Sequence, residues 1–323
     1  MKPKISTTKD LHWYLERIGH LRVDRAHGLA PHKPILLLAV IEMIEEGLMR
    51  ENQIPFSPEL VEIFRRYWTR LTHRSVNAVM PFFHLQSDQF WHLHANLGYE
   101  AALKSSTHMR AVAALMKIVR FASLDEELFL LLKNRPTREM IRKLIIDTYF
   151  NDSRTDVESS ISQGKRIREY QTDLIDKAKK RFHVRETSSS LSIEFREVRN
   201  PAFRRMIMSL YQYTCSVCGL RIITLDGLSA VDAGHIVPFS VSQNDDPRNG
   251  IGLCKIHHWA FDNGLIAIDD KYRLRVSETL DAKRPTEWLF TKLESESVIL
   301  PLNSRFHPSQ EALRWHRANR FRK

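Results

Sequence analysis

Three cysteines and one histidine stand at the spacing of a metal site: Cys215-x-x-Cys218, then Cys254-x-x-His257. Each pair sets two soft donors about a turn apart, and two such knuckles can close a tetrahedron around Zn²⁺. The set uses every cysteine in the chain. Four protein ligands leave no open coordination position, so this zinc is expected to fold its segment rather than to catalyse. A lone Cys-x-x-Cys is often two small buried residues, and it is the second pair at matching spacing that favours metal. Within and just beyond the closed loop lie Ala233-Gly234-His235-Ile236-Val237-Pro238, Asp246-Pro247-Arg248-Asn249-Gly250-Ile251-Gly252-Leu253-Cys254 and His258-Trp259-Ala260-Phe261-Asp262-Asn263-Gly264-Leu265. Taken singly, His235 reads as a satisfied, partly buried histidine, Asn249 as a turn cap, and His258 as an alternative to His257 at the zinc.

Taken together, His235, Asn249 and His258 resemble the pattern of HNH (ββα-metal) endonucleases, in which a His ends a strand, an Asn follows in the loop and a second His sits on a short helix. The resemblance covers about residues 195 to 290, including the lead Asn200-Pro201-Ala202-Phe203-Arg204 into Tyr213-Thr214-Cys215. It implies phosphodiester hydrolysis, which needs a nucleophile, charge stabilisation at the phosphoryl oxygens and help for the leaving oxygen. An imidazole neutral near pH 7 suits a general base, so His235 would deprotonate the attacking water. His258 would hold a catalytic divalent ion, Mg²⁺ or Mn²⁺, against the scissile phosphate. Asn249 would either fix the loop that aims His235 or join the metal shell. Many members carry an acid immediately before the first His, where this chain has Gly234; Asp232 and Asp262 are the candidates to replace that ligand.

The elements that must position these groups belong to a chain of 323 residues, long enough for two domains. It is 43% hydrophobic and 27% charged, which excludes disordered and fibrous classes. A formal net charge of +11 favours a polyanionic partner, because Lys and Arg placed at phosphates release condensed counterions. The longest apolar run, Ile35 to Ile41, is too short to span a bilayer, and no secretion signal follows Met1, so a cytoplasmic protein with no membrane partner is expected.

The first 150 residues read as mostly helical. An apolar helix over Ile35–Ile44 enters through Pro34 and stops near Gly47; an amphipathic helix runs from Pro58 to about Thr72; helical spacing returns over Leu124–Leu132 and Arg138–Phe150, with Pro136 between. Phe82, Phe83, Phe90 and Trp91, split by Gln86-Ser87-Asp88-Gln89, predict a hairpin within 79–93. Lys165, Arg166, Arg168, Lys177, Lys179, Lys180 and Arg181 crowd a further helix, read either as a solvated face or as a basic connector over DNA backbone; Thr187-Ser188-Ser189-Ser190 reads as a linker, and the basic end, Arg317 to Lys323, as a frayed tail in preference to a DNA contact. The expected fold is α+β: a mostly helical N-terminal recognition domain (1–150) with a short hairpin, a basic helical linker (151–194), and a zinc-stabilised ββα-metal domain (195–323).

Two N-terminal segments, Ala30-Pro31-His32-Lys33-Pro34-Ile35-Leu36-Leu37-Leu38 and Met80-Pro81-Phe82-Phe83-His84-Leu85-Gln86-Ser87-Asp88, resemble the sulfur-binding domain of phosphorothioate-DNA-dependent restriction endonucleases. In that family an apolar cup receives the backbone sulfur, which is larger, softer and less hydrated than the oxygen it replaces. By motif position His32, Lys33, Met80, Pro81 and His84 would line the cup, with Met80 where members often have Tyr. Alternatively Pro34 simply starts a helix and Pro81-Phe82-Phe83 is a core edge. The leading expectation is a type IV restriction endonuclease acting on phosphorothioated double-stranded DNA. The competing ones are a defence effector nuclease gated by a small ligand or partner, and a non-catalytic zinc DNA-binding protein. One HNH centre per chain cuts one strand at a time, so double-strand cleavage implies either a homodimer or two successive nicks.

Overall fold

A computed structural model describes residues 9–22, 31–107, 109–184, 192–224, 227–281 and 289–323. They divide into two compact units: Met1–Gly164 with Leu225–Leu228, and Lys165–Thr224 with Ser229–Lys323. The Thr187–Ser190 linker expectation, and Ala30 of the first N-terminal motif, lie outside the described residues. Among the described residues no helix is long and apolar enough to cross a membrane.

The first unit opens with α1, Leu11–Gly19, capped by Asp10, which accepts from the Trp13 amide at 2.9 Å. Helix α2, His32–Glu45, is buried at every position from Lys33 to Ile44, as its nearly uncharged sequence requires. Its one buried acid, Glu42, is answered by Arg66 and by the Tyr67 hydroxyl at 2.9 Å. An uncompensated carboxylate at that depth would be costly. Helix α3, Pro58–Leu71, is capped by Ser57 and lays Leu60, Val61, Ile63, Phe64, Tyr67 and Trp68 into the core beside α2.

The aromatics at 82 and 83 are not in a strand. Val79–His84 form the short helix α4, followed by a 3₁₀ turn over Leu85–Asp88, so the expected hairpin within 79–93 is corrected. Gln89, in the left-handed region at φ 70°, ends the turn, and only then does β1, Trp91–Ala95, begin. After α5 (Glu100–Ser105) and α6 (Val112–Ile118), β2 (Val119–Leu124) pairs with β1 antiparallel, Trp91 opposite Leu124. The two-stranded element exists, but its partner strand comes some two dozen residues later, beyond the reach of a local turn signal. Leu124, expected at the head of a helix, ends β2; α7 follows as Glu126–Lys133 and α8 as Arg135–Tyr149, with Pro136 inside the first turn of α8 rather than between helices. Helix α9 spans Arg154–Lys177.

The second unit begins at Lys165, within α9, and continues with α10, Ile193–Leu210, which carries Pro201 inside it. Strand β3 (Val231–His235) is followed by the single turn α11 (Phe239–Ser242), then by β4 (Gly250–Cys254) and α12 (Lys255–Asp262). β3 and β4 are antiparallel with His235 opposite Gly250, giving the ββα order the sequence implied. A second pair, β5 (Ile266–Ile268) and β6 (Leu274–Val276), and helix α13 (Gln310–Asn319) complete the unit.

The basic C-terminus is not a frayed tail. Arg317 Nη2 meets Asp270 Oδ1 at 2.7 Å, and the Arg322 amide donates to the Gly264 carbonyl at 2.9 Å. Gly264 permits this twice over: its φ is +69°, and a Cβ there would sit 1.9 Å from the Arg320 carbonyl oxygen. His316 stacks on Phe261 of α12 at 3.7 Å and its Nε2–H donates to the Phe261 carbonyl at 3.0 Å.

Burial holds His316 neutral, with its pKa lowered from 6.5 to about 4. A base whose folded pKa is depressed stabilises the fold fully above its unfolded pKa and loses that contribution as pH falls toward the folded value. Relative to His316→Gln, the wild-type unfolding free energy is therefore expected to drop by about 3 kcal/mol between pH 6.5 and pH 4. Denaturant titrations at stepped pH check this, and parallel pH curves for the two proteins contradict it.

Candidate functional site

The four metal-type ligands converge. The donor atoms of Cys215, Cys218, Cys254 and His257 all lie within 4.8 Å of one another, and none of the cysteines is in a disulfide. His257 turns Nδ1 toward the sulfurs, 3.1 Å from Cys254 Sγ and 3.6 Å from Cys215 Sγ, while its Nε2–H donates to the Leu289 carbonyl at 2.8 Å. Fixing one ring nitrogen by an outer carbonyl leaves the other as a lone-pair donor, which is how a ligating histidine is oriented. Hydrogen bonding with Cys215 holds the Cys254 thiol far below the usual cysteine range and pushes Cys218 far above it, as expected of thiols crowded around one charge. The donor set fits Zn²⁺. The first knuckle is pinned to β4 by the Ser216 amide donating to the Gly252 carbonyl at 2.7 Å.

His235 ends β3 and lies flat against Phe203 of α10, with centroids 3.9 Å apart and planes 9° apart. Its side chain is 17% exposed, so the imidazole is partly reachable from solvent. Nε2 meets Asp245 Oδ1 at 2.8 Å, and Asp245 has no exposure at all. That buried carboxylate is further met by Arg199, through Nε at 2.7 Å and Nη2 at 2.9 Å, and by the Tyr170 hydroxyl at 2.9 Å. Arg199 and Tyr170 can only donate here, so Asp245 is the common acceptor and the proton of His235 belongs on Nε2. Arg199 Nη2 also lies 3.5 Å from His235 Nε2, two donors converging on one oxygen. Burial pushes His235 below the usual histidine range, while the hydrogen bond with Asp245 works against that shift. The ring is neutral at pH 7, with a bare Nδ1.

Asn249 is fully buried and occupied. Its Nδ2 donates to the carbonyls of Val237 (3.0 Å) and Asn244 (2.9 Å), and its Oδ1 accepts from the Val237 amide at 2.9 Å. It thereby ties both ends of the loop between β3 and β4. His258, on α12, lies against Gly234: a Cβ at that glycine would be 3.0 Å from His258 Nε2. The residue where many relatives place an acid is thus the one whose missing side chain makes room for the imidazole. His258 Nε2 is 3.6 Å from Asp262 Oδ2, one turn along α12. Asp232 is engaged elsewhere, with Arg204 Nε and Lys255 Nζ each 2.9 Å from one of its two carboxylate oxygens.

Asp245, Arg199 and Tyr170 were not singled out by sequence reasoning. Asp245 lies in the loop between His235 and Asn249 and was open to suspicion on that ground. Arg199 and Tyr170 come from helices remote in sequence, with no local signal of their role.

In the first unit, His32 and Lys33 sit at the start of α2. His32 packs on Trp68 at 4.4 Å, and burial lowers its pKa. Lys33 is turned inward: Nζ lies 2.6 Å from Asp88 Oδ2 and 3.0 Å from Ser87 Oγ, and Asp88 also accepts from the Arg22 amide at 2.9 Å. Ser87 Oγ in turn donates to the His84 carbonyl at 2.9 Å, so the end of α4 and the start of α2 are tied together. Met80 is half-buried and Pro81 buried on α4, whose first amides are capped by Asn77.

Residues 12–158 match a family model described as ScoMcrA-like, DNA sulfur-binding domain, and residues 215–269 match one described as HNH endonuclease. No curated protein matches the chain. Among solved structures, the modification-dependent TagI restriction endonuclease is 24% identical with a TM-score of 0.28, and the match covers 38% of each chain. The chain thus spans well under half the length of that relative. The sulfur-binding domain of ScoMcrA complexed with phosphorothioated DNA is 21% identical with a TM-score of 0.35, covering 43% of this chain and 89% of that one. The type IV phosphorothioation-dependent restriction endonuclease ScoMcrA is 12% identical with a TM-score of 0.35, covering 76% of this chain and 94% of that one. At such TM-scores the overlays carry no weight beside the two segment matches. The chain joins a ScoMcrA-like DNA sulfur-binding domain, over residues 12–158, to an HNH endonuclease domain over residues 215–269.

Proposed function

We propose that the protein is a modification-dependent type IV restriction endonuclease, which recognises phosphorothioated double-stranded DNA with its N-terminal unit and hydrolyses nearby phosphodiester bonds with its HNH domain. What carries this reading is one observation: a segment matched to DNA sulfur binding shares the chain with an HNH segment whose His235 is gripped by a solvent-free carboxylate.

The roles follow from the atoms. His235 accepts the proton of the attacking water at Nδ1, and the imidazolium so formed keeps its Nε2–H on Asp245. Arg199 and Tyr170 hold Asp245 in place, and Arg199 balances its charge. Asn249 acts on the geometry of the loop. HNH endonucleases depend on metal, and Mg²⁺ or Mn²⁺ held by His258, with Asp262 the nearer acid and Asp232 the more distant alternative, would neutralise charge on the scissile phosphate and the departing 3′ oxygen. Zn²⁺ at Cys215, Cys218, Cys254 and His257 holds β4 and α12 in register. On the recognition side, His32, Met80, Pro81 and His84 are the cup, and Lys33 supports it from within through Asp88.

Elemental analysis of the purified protein is expected to find one structural zinc per chain. Cys218→Ser should lower that content and depress Tm by roughly 10 °C, since metal affinity at such a site is folding energy. Zinc-free protein of undiminished Tm contradicts the assignment. In a plasmid assay with Mg²⁺ or Mn²⁺, phosphorothioated DNA is expected to be cut and unmodified DNA spared. His235→Ala should slow cutting by about 10²- to 10⁴-fold. Equal cutting of both plasmids removes the sulfur-directed reading, and undiminished cutting by His235→Ala removes the base.

A further inference from the structure

Where α9 ends, the chain turns back against the loop that holds the site. Lys177, Lys180, Arg181, Phe182 and His183 on one side, and residues 242–246 on the other, line a cavity of about 300 Å³. Its charge is one-sided. The wall carries Lys177, Lys180, Arg181 and the imidazole of His183, while its one acid, Asp246, is already paired with Arg248 at 2.7 Å. Among the described residues, the side chains of Lys180 and Arg181 make no hydrogen bond or ion pair, and both are exposed. The nearby acids are already committed, Asp246 to Arg248 and Asp176 to Lys179 at 2.7 Å, so the wall keeps an excess of positive charge that attracts an anion.

The wall is also built rather than loose. Arg248 Nη2 donates to the carbonyls of Lys177 (3.1 Å) and Lys180 (2.8 Å), and its guanidinium lies over the buried Phe182 ring, 5.4 Å from the centroid. Asn244 Nδ2 reaches the His183 carbonyl at 3.4 Å. The same loop leads straight to the reaction: Asn244 lines the cavity, and the next residue, Asp245, holds His235.

We propose that this basic cavity is a binding site for the sugar-phosphate backbone of duplex DNA, with Lys180 and Arg181 as its principal phosphate contacts, feeding the strand toward His235. This rests on the nuclease reading in taking DNA as the ligand, but it requires neither sulfur recognition nor cleavage.

The test uses the full-length protein and an unmodified 30-base-pair DNA duplex in EDTA, with affinity read by fluorescence anisotropy across a salt series. The double variant Lys180→Glu/Arg181→Glu is expected to bind at least about tenfold more weakly at low salt. The magnitude of its slope of log affinity against log salt should fall by about two, since each phosphate contact contributes about 0.9. A control with the same charge change at exposed sites elsewhere in the unit, Lys271→Glu/Lys292→Glu, is expected to keep the wild-type slope. The neutral pair Lys180→Gln/Arg181→Gln should shift in the same direction with an unchanged Tm. Equal weakening by groove and control variants, an unchanged slope, or a loss confined to duplex RNA overturns the proposal. Wild-type protein that cuts phosphorothioated plasmid while the groove variants bind normally would remove the groove alone. Groove-dependent binding without any cutting would remove the nuclease reading alone.

Discussion

A carboxylate with no contact to solvent fixes the second unit. Asp245 gathers donors from three places: Tyr170 on α9, Arg199 on α10 and His235 at the end of β3; its own loop is held separately, by Asn249 donating to the Asn244 carbonyl. A charge at that depth is tolerable only when its lone pairs are met and a cation balances it, and Arg199 supplies the cation. The consequence for chemistry is one of tautomer. Because every neighbour of Asp245 must donate, His235 has to present Nε2–H inward, which leaves the lone pair on Nδ1.

The remaining parts serve that arrangement at increasing distance. Asn249 spends its amide on holding the loop ends together, which keeps Asp245 beside His235. The Cys₃His cluster ties the first knuckle, the end of β4 and the start of α12 into one piece, so that His258 is carried to a fixed place beside Gly234. α13 covers the back of α12 through His316 and Phe261. The absence of a side chain at 234 leaves room for the His258 imidazole, and it offers no acidic donor there to the shell of the proposed catalytic metal. DNA oxygens and water would have to complete such a shell.

Legibility in the sequence followed the range over which a signal acts. The Cys and His ligands converge because two short spacings encode each half of the cluster. The ββα order was readable because His235, Asn249 and His258 mark the ends of its elements. α2 and α3 were readable from apolar content and from Pro34, Gly47 and Pro58. The hairpin placed at 79–93 went wrong because Phe82 and Phe83 are equally at home on a buried helical turn, and the strand that pairs with Trp91 lies far along the chain. Lys33 was read as lining the cup, and its inward turn stayed hidden because nothing local announced Asp88 as its partner. Arg199 and Tyr170 stayed hidden for the same reason: a buried ion pair is a fact of tertiary structure.

Nitrogen NMR of the imidazoles in histidine-labelled protein tests the central claim most directly, since it reports which ring nitrogen of His235 carries the proton near neutral pH. The geometry requires a neutral ring with Nε2 protonated toward Asp245 and Nδ1 bare. A proton found on Nδ1 instead would mean that Asp245 does not orient the base, and the proposed path for the water's proton would have no acceptor.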